Sequence, residues 1–249
     1  MNNYIMKTIS VNGTEVDFLT ALRDFFISNS VMPFTLDSEN LTNTDGEANF
    51  ITLVNDDYKL NFLSPASDDS TAASITITLS KNNESETIIG KYSITCCTTT
   101  TTREGFSSRI CPLFIVKGDN IDFIGLGNNN SSYGKGSGFY YIKSSTSEVG
   151  AISATSASTV NGFSFTDYET NAVSYTLAPY HTTSTSVDTL IMDSELGIKS
   201  KSTNYYCGTM LDCYGLGGGA KGTFYKDSNG TLLYCFDTNC CFKLVNKVE

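Results

Sequence analysis

The chain has 249 residues, 40% hydrophobic and 17% charged, with a formal net charge of −10 and a pI near 4.5. That acidity, with no Lys/Arg cluster to offset it, excludes a nucleic-acid backbone or an anionic membrane surface as a partner. No run reaches the ~18 apolar residues of a membrane helix, and the opening MNNYIMKTISVNG lacks the segments of a secretory signal, so synthesis in a cytoplasm is expected.

Residues 14–28 carry the one helical pattern. Thr14 is placed to cap it, with Asp17 three residues on as the acid of a capping box. Phe18, Leu19, Leu22, Phe25 and Phe26 then fall on a single apolar stripe, which is expected to pack on a sheet or, alternatively, to bind a partner. Asn29-Ser30 ends the helix, and Pro33 forbids its continuation.

From Asn49 the period changes to two. Ile51 to Val54 and Tyr58 to Phe62 flank Asn55-Asp56-Asp57, residues that tolerate the positive φ of tight turns, so a hairpin is expected. Ile75 to Leu79 alternates strictly and is matched by Ile88 to Ile94. Leu113 to Val116 and Ile121 to Ile124 flank Lys117-Gly118-Asp119-Asn120, another hairpin, and Gly138 to Ile142 follows a Gly/Asn/Ser tip at 127–137. The Ser/Thr/Ala-rich stretch 144–160 reads as a linker or a weak edge strand. Beyond it come Phe163 to Phe165, Val173 to Leu177 and Leu190 to Met192. A final meander has Thr223 to Tyr225 and Thr231 to Phe236 flanking Asp227-Ser228-Asn229-Gly230, then Phe242 to Val245. The expected fold is mainly β, with antiparallel sheets, sandwich- or barrel-like, and one short N-terminal amphipathic helix. The expected division is a helix-plus-β domain over 1–143, the stretch 144–160, and a Cys-rich β meander over 161–249, which could equally run on as one domain.

No catalytic constellation stands out, and the chain is read as a non-enzyme with no cofactor. His181 is the only histidine, so no His₂ or His₃ metal site can form. It lacks the nucleophile elbow and orienting acid of a triad, and a hydrolase built on it is the weakest reading. Gly215, Gly217 and Ala220 fit G-x-G-x-x-A, but a strand pattern at Thr223 follows where a dinucleotide site needs a helix. Asp56-Asp57 and Asp68-Asp69 lack calcium-loop spacing and read as solvated turns.

Eight cysteines stand at 96, 97, 111, 207, 213, 235, 240 and 241. Cys207 and Cys213, and likewise Cys235 and Cys240, are too far apart in sequence for the tight knuckle of a zinc site, so no metal is expected. Reduced thiols used as small buried hydrophobes fit cytosolic synthesis, with partial disulfide bonding as the alternative. Fourteen tyrosines and fifteen phenylalanines, with no tryptophan, include dense groups at Tyr133, Phe139-Tyr140-Tyr141 and Tyr205-Tyr206. Phe18, Leu22, Phe26, Tyr133, Tyr140 and Tyr206 are the candidate interface residues.

Asp17-Phe18-Leu19-Thr20-Ala21-Leu22-Arg23-Asp24-Phe25-Phe26 resembles the opening helix of a loose group of tailed-bacteriophage virion proteins. In these, a short capped helix of pattern L-x-x-L-x-x-F leads into a β-rich body. The Ser/Thr/Asn-rich strands with Gly-rich tips are similar to phage tail, baseplate or fibre proteins. The helix covers about a tenth of the chain. The chain departs from the pattern where Asn29-Ser30-Val31-Met32 replaces the usual Gly-Trp, and in its Cys-rich tail. No functional residue is carried over. The resemblance implies a structural subunit of a phage or phage-like particle, at the tail or baseplate. Such a subunit would sit in the virion in many copies, as a homo-oligomer in contact with other virion proteins. The alternative, from the tyrosine platforms, is a carbohydrate-binding or adhesive β module contacting a host-surface glycan.

Overall fold

Strand-forming alternation dominates the chain: 59% of the described residues lie in strands, and one helix stands among them. The structure, a computed structural model, describes residues 2–11, 13–42, 44, 46–64, 74–82, 88–95, 109–126, 137–143, 148–154, 175–179, 192–193, 196–200, 206–216, 222–227, 229–237 and 240–249. The chain divides into two units. One comprises Lys7–Leu113 and Asn128–Asn130; the other comprises Met1–Met6, Phe114–Gly127 and Ser131–Glu249.

The chain opens with β1 (Asn3–Val11) and α1 (Glu15–Ser28). Then come β2 (Thr35–Asn40), β3 (Asn49–Val54), β4 (Tyr58–Ser64), β5 (Ser74–Lys81) and β6 (Ile88–Thr95). The strands β2 to β6 form one sheet in chain order, every neighbour antiparallel. Register follows the period of two. Ile51 faces Phe62, which faces Ile77, and Leu53 faces Leu60, which faces Leu79. All six are buried, while Thr52, Asn61 and Thr78 line up on the opposite face. Asn61 Nδ2 donates to Thr52 Oγ1 there at 2.9 Å.

Helix α1 begins as its sequence dictates. Thr14 is the N-cap, its hydroxyl accepting from the Asp17 N–H at 3.2 Å while the Asp17 carboxylate accepts the Thr14 N–H at 2.7 Å. Those Thr14 hydrogen bonds, the backbone one foremost, hold the Asp17 carboxyl below its ordinary value. The stripe Phe18, Leu19, Leu22, Phe25 and Phe26 is buried throughout. Phe26 reaches the sheet, its ring centroid 5.6 Å from Phe62 and 5.7 Å from Phe34. Edge strand β2 is exposed from Thr35 to Glu39, carries Asp37 and Glu39, and is bulged between Leu36 and Ser38. Charges and a bulge are the devices that discourage further strands from adding to an edge.

The helix stops at Asn29, whose side chain is buried and fully used. Its Nδ2 donates to the carbonyls of Phe26 (2.8 Å) and Met32 (3.0 Å), and its Oδ1 accepts from the N–H of Met32 (2.7 Å) and Val31 (3.2 Å). Replacing Asn29 by alanine should cost about 2 kcal/mol or more, since each buried polar group left unpaired costs about 1–3 kcal/mol. Urea denaturation followed by circular dichroism measures it, and a change under about 0.5 kcal/mol, the level of an ordinary surface substitution, would refute it.

The remaining strands begin with β7 (Arg109–Lys117), β8 (Ile121–Leu126), β9 (Ser137–Lys143) and β10 (Glu148–Ala154). Next are β11 (Tyr175–Pro179), β12 (Met192–Asp193), β13 (Leu196–Ser200), β14 (Tyr206–Met210) and β15 (Cys213–Leu216). The last are β16 (Thr223–Lys226), β17 (Leu232–Asp237), β18 (Cys240–Leu244) and β19 (Asn246–Lys247). One sheet runs β10-β9-β8-β7-β1-β19, another β12-β15-β18-β17-β16, and a third β11-β13-β14. β1 and β19 pair in parallel, Asn3 with Asn246 and Tyr4 with Lys247, beside the antiparallel ladders of the other sheets. It arises because the two chain ends lie side by side, and Asn2 Nδ2 secures them by donating to the Lys243 carbonyl at 2.8 Å. Gly118 makes room for this: a Cβ there would collide with Asn2 Oδ1.

The first two of these sheets share one core: Tyr4, Phe114, Val116, Ile121 and Phe123 come from one, and Cys213, Tyr234, Phe236, Phe242 and Leu244 from the other. Phe114 sits among Tyr234 (4.7 Å between ring centroids), Phe123 (5.4 Å), Phe224 (5.6 Å) and Tyr4 (6.2 Å). This is a two-layer, sandwich-like arrangement. The described residues of β7 from Cys111 to Val116, and all of β8, are buried on both faces; β8 includes the charged Asp122, whose carboxylate accepts from Lys117 Nζ at 2.8 Å.

Residues 148–154 are β10, paired along its length with β9, so the hairpins beginning at β7 continue past residue 143. The sheet order puts β10 at an edge; residues 155–160 lie outside the described residues.

Candidate functional site

The turns near the sheet ends are built from side chains as much as from backbone freedom. At Asn55-Asp56-Asp57 no φ is positive, contrary to the reason given for a hairpin there. Asn55 Oδ1 instead accepts the N–H groups of Asp57 (3.0 Å) and Tyr58 (2.8 Å), folding the turn around an amide. Asp227 does the same, accepting from Asn229 and Thr231 at 2.8 Å each, while Gly230 supplies a φ of 82°. The hydrogen bond from the Thr231 backbone leads the causes that hold the Asp227 carboxyl below its usual range. The side chains of Asn55 and Asp227 thus serve the backbone of their turns. Among the described residues, no three His, Cys, Asp or Glu side chains are grouped to hold a metal ion.

His181 and Asp68-Asp69 lie outside the described residues. In the glycine-rich stretch, Gly215 closes on β15 and Gly222, at φ 74°, turns into β16, so a strand follows and the dinucleotide context is missing; residues 217–221 lie outside the described residues.

The candidate interface residues separate into three groups. Phe18, Leu22 and Phe26 are 0% exposed, a correction: they are the core beneath α1 and present no surface to another chain. The physical reason is that the whole stripe is spent on one sheet face, with Phe26 among the rings of Phe25, Phe34 and Phe62. Tyr140 lies in β9, in register between Phe123 of β8 and Ala151 of β10, and Tyr206 opens β14 opposite Lys199. Tyr133 lies outside the described residues.

A cluster that sequence reasoning did not assemble lies on the face of the β12-β15-β18-β17-β16 sheet opposite its aromatic core. Cys241 stands in register with Tyr214 on one side and Cys235 on the other, and Leu233 lies opposite Lys243 and Tyr225. Leu233, Cys235 and Cys241 are fully buried, with half-buried Tyr214 and Tyr225 packed against them. Lys243 Nζ lies 5.0 Å from the Tyr214 ring centroid. The signal that could have found the cluster is strand parity: if Tyr234 and Phe242 point into the core, Leu233, Cys235, Cys241 and Lys243 must share the other face.

Both faces of this sheet are hostile to charge. Burial, and then the neighbouring Cys235, push the Cys241 thiol up to about 12. Burial leads the causes that push Cys213 well above its ordinary value and the Tyr234 phenol likewise. All three therefore stay protonated in the folded chain while the unfolded chain ionises, its thiols near 9.0 and its phenol near 10.0. The stability they share in is intact below pH 9.0 and falls as pH rises from there toward 12. Denaturation midpoints measured at steps from pH 8 to 11 should decline in that window, with a smaller decline in a Cys241→Ala chain. A midpoint flat to pH 11 would count against buried thiols.

No family model matches the chain, and no curated protein or solved structure is similar to it.

Proposed function

We propose that this chain is a structural subunit of a phage or phage-like particle, at the tail or baseplate, that acts by protein–protein assembly. The observation that carries the reading is the unit built on α1: a capping-box helix leading directly into a five-stranded antiparallel meander. That is the arrangement the opening segment's resemblance implies. In this reading the work of Phe18, Leu22 and Phe26 is internal, and contacts between subunits fall to sheet edges and polar sheet faces. The bulged, charged β2 edge is a poor place for a neighbour's strand; β6, at the opposite end of the same sheet, has one neighbour among the described strands.

The test is to sediment particles from a lysate of the source cells and search them by mass spectrometry for the tryptic peptide Gly118 to Lys135. Recovery in stoichiometric ratio with the major particle proteins is the expected result. Its confinement to the soluble fraction would overturn the proposal, and retention of that fraction on cell-wall or capsule glycan would put an adhesive module in its place.

A further inference from the structure

Cys235 and Cys241 face each other directly across β17 and β18. The kind of pairing can be read from the backbone. The Cys235 carbonyl accepts the Gly222 N–H at 2.6 Å, on the side toward β16. A strand residue sends its N–H and C=O to the same side, so Cys235 turns both away from β18. The next pairing, Asp237 with Cys240, skips Phe236, which places a bulge one step beyond. Cys235 and Cys241 are therefore a non-hydrogen-bonded pair, the close kind, with Cα atoms about 4.5 Å apart in such ladders. Disulfides span Cα separations of about 4.4–6.8 Å, so the backbone already holds these two residues at bridging distance. Both side chains lie in the same buried cluster with Leu233.

We propose that Cys235 and Cys241 are a disulfide-forming pair, closed by a small-molecule disulfide such as glutathione disulfide before the sheet packs, and thereafter held in whichever redox state folding left them. While the chain is open, the Cys241 thiolate attacks one sulfur of the oxidant, forming a mixed disulfide and releasing one glutathione thiolate. The Cys235 thiolate then attacks the Cys241 sulfur, forming the cross-strand bond and expelling the second glutathione. Two electrons pass from the cysteines to the oxidant, and the two cysteine protons end on the two glutathione thiols. Once folded, both sulfurs are 0% exposed and the Cys241 thiol is held protonated, so neither attack has an accessible thiolate. The inference does not depend on the particle reading.

The experiment uses the full chain, unfolded and reduced, then refolded either with reductant or in a mixture of reduced and oxidised glutathione. Remaining thiols are alkylated, and a protease cutting before aspartate separates Asp227–Phe236 from the segment starting at Asp237. The expected result is that oxidative refolding joins these two fragments, with the mass of two hydrogens lost. Fragmentation should place the link at Cys241, and it should survive Cys240→Ser and vanish in Cys241→Ser. The bridged chain should also unfold at a higher urea concentration than the reduced one, since closing even a short loop restricts the unfolded state. Reduced, already folded protein in the same glutathione mixture should stay unlinked over the same period. Full alkylation of Cys235 and Cys241 after oxidative refolding would overturn the proposal, as would a link to Cys240. Equally fast linking of the folded protein would overturn its protection by burial. The wild-type fragment spectrum decides these points even if a serine variant fails to fold.

Discussion

Phe26→Ala is expected to destabilise the helix-bearing unit by about 3–5 kcal/mol, the cost of removing a buried phenylalanine ring from a packed site. The ring is 0% exposed and touches three others, Phe25 at 5.5 Å, Phe62 at 5.6 Å and Phe34 at 5.7 Å between centroids. Alanine would leave those rings facing a void that the helix cannot close, because Thr14 and Asn29 fasten both of its ends. In urea the midpoint should fall by roughly 1–5 M, given slopes of about 1–3 kcal/mol per molar. Ile27→Ala is the comparison: Ile27 is the next residue on the helix but 40% exposed, and should change stability by under about 0.5 kcal/mol. The pair also separates core from interface. A partner-binding Phe26 would leave the unfolding curve unchanged and weaken only assembly, and that outcome would contradict the packing described above.

Phe114→Ala should have a comparable effect on the other unit, about 3–5 kcal/mol, for a different reason. Phe114 belongs to one sheet and meets rings carried by both, Tyr4 and Phe123 on its own side and Tyr234 and Phe224 opposite. Its loss removes packing between layers and not merely beside a strand. The chain has no tryptophan, so near-ultraviolet circular dichroism reports chiefly its tyrosines, and the Tyr234 contribution should weaken in the same variant. Phe114 and Tyr234 lie 4.7 Å apart in an edge-to-face arrangement. A double-mutant cycle between them should therefore show a coupling of about 0.5–1.5 kcal/mol. Val245→Ala, at a position 51% exposed, serves as the neutral control. Strict additivity of the two ring deletions would show that the cluster is not a cooperative core.

Local chemistry was legible wherever one residue type has one cheap use. Thr14 and Asp17 announced a helix start, and every residue of the stripe behind them is buried; Glu15 is the one buried residue of α1 outside it. Strict alternation placed β5, and period-two runs placed β3 and β4; in β3 the burial does not alternate, since Thr52 is buried between Ile51 and Leu53. Other elements escaped notice. β1, with Lys7, Thr8 and Ser10 among its apolar residues, reads like a polar tail until a neighbouring strand gives it a sheet to join. β2 has a fully exposed run, Thr35 to Glu39, and so shows no apolar face to detect; its pairing with β3 alone makes it a strand. The turn at Asn55 was located correctly and explained wrongly, because the amide side chain does what positive φ was expected to do.

Residues a few positions apart sufficed for the class of the fold, for the helix with its N-cap and its stop, and for the period-two runs that form β3, β4 and β5. Periodicity and capping are local physics, which the sequence carries by itself. The tertiary structure decided what depends on distant partners: the chain ends pairing in parallel as β1 and β19, the burial of β7 and β8 on both faces, and the aromatic core shared by two sheets. It also decided that Cys235 stands opposite Cys241 rather than Cys240. That choice turns on register, because a shift of one residue, here absorbed by a bulge, changes which side chains meet across a sheet.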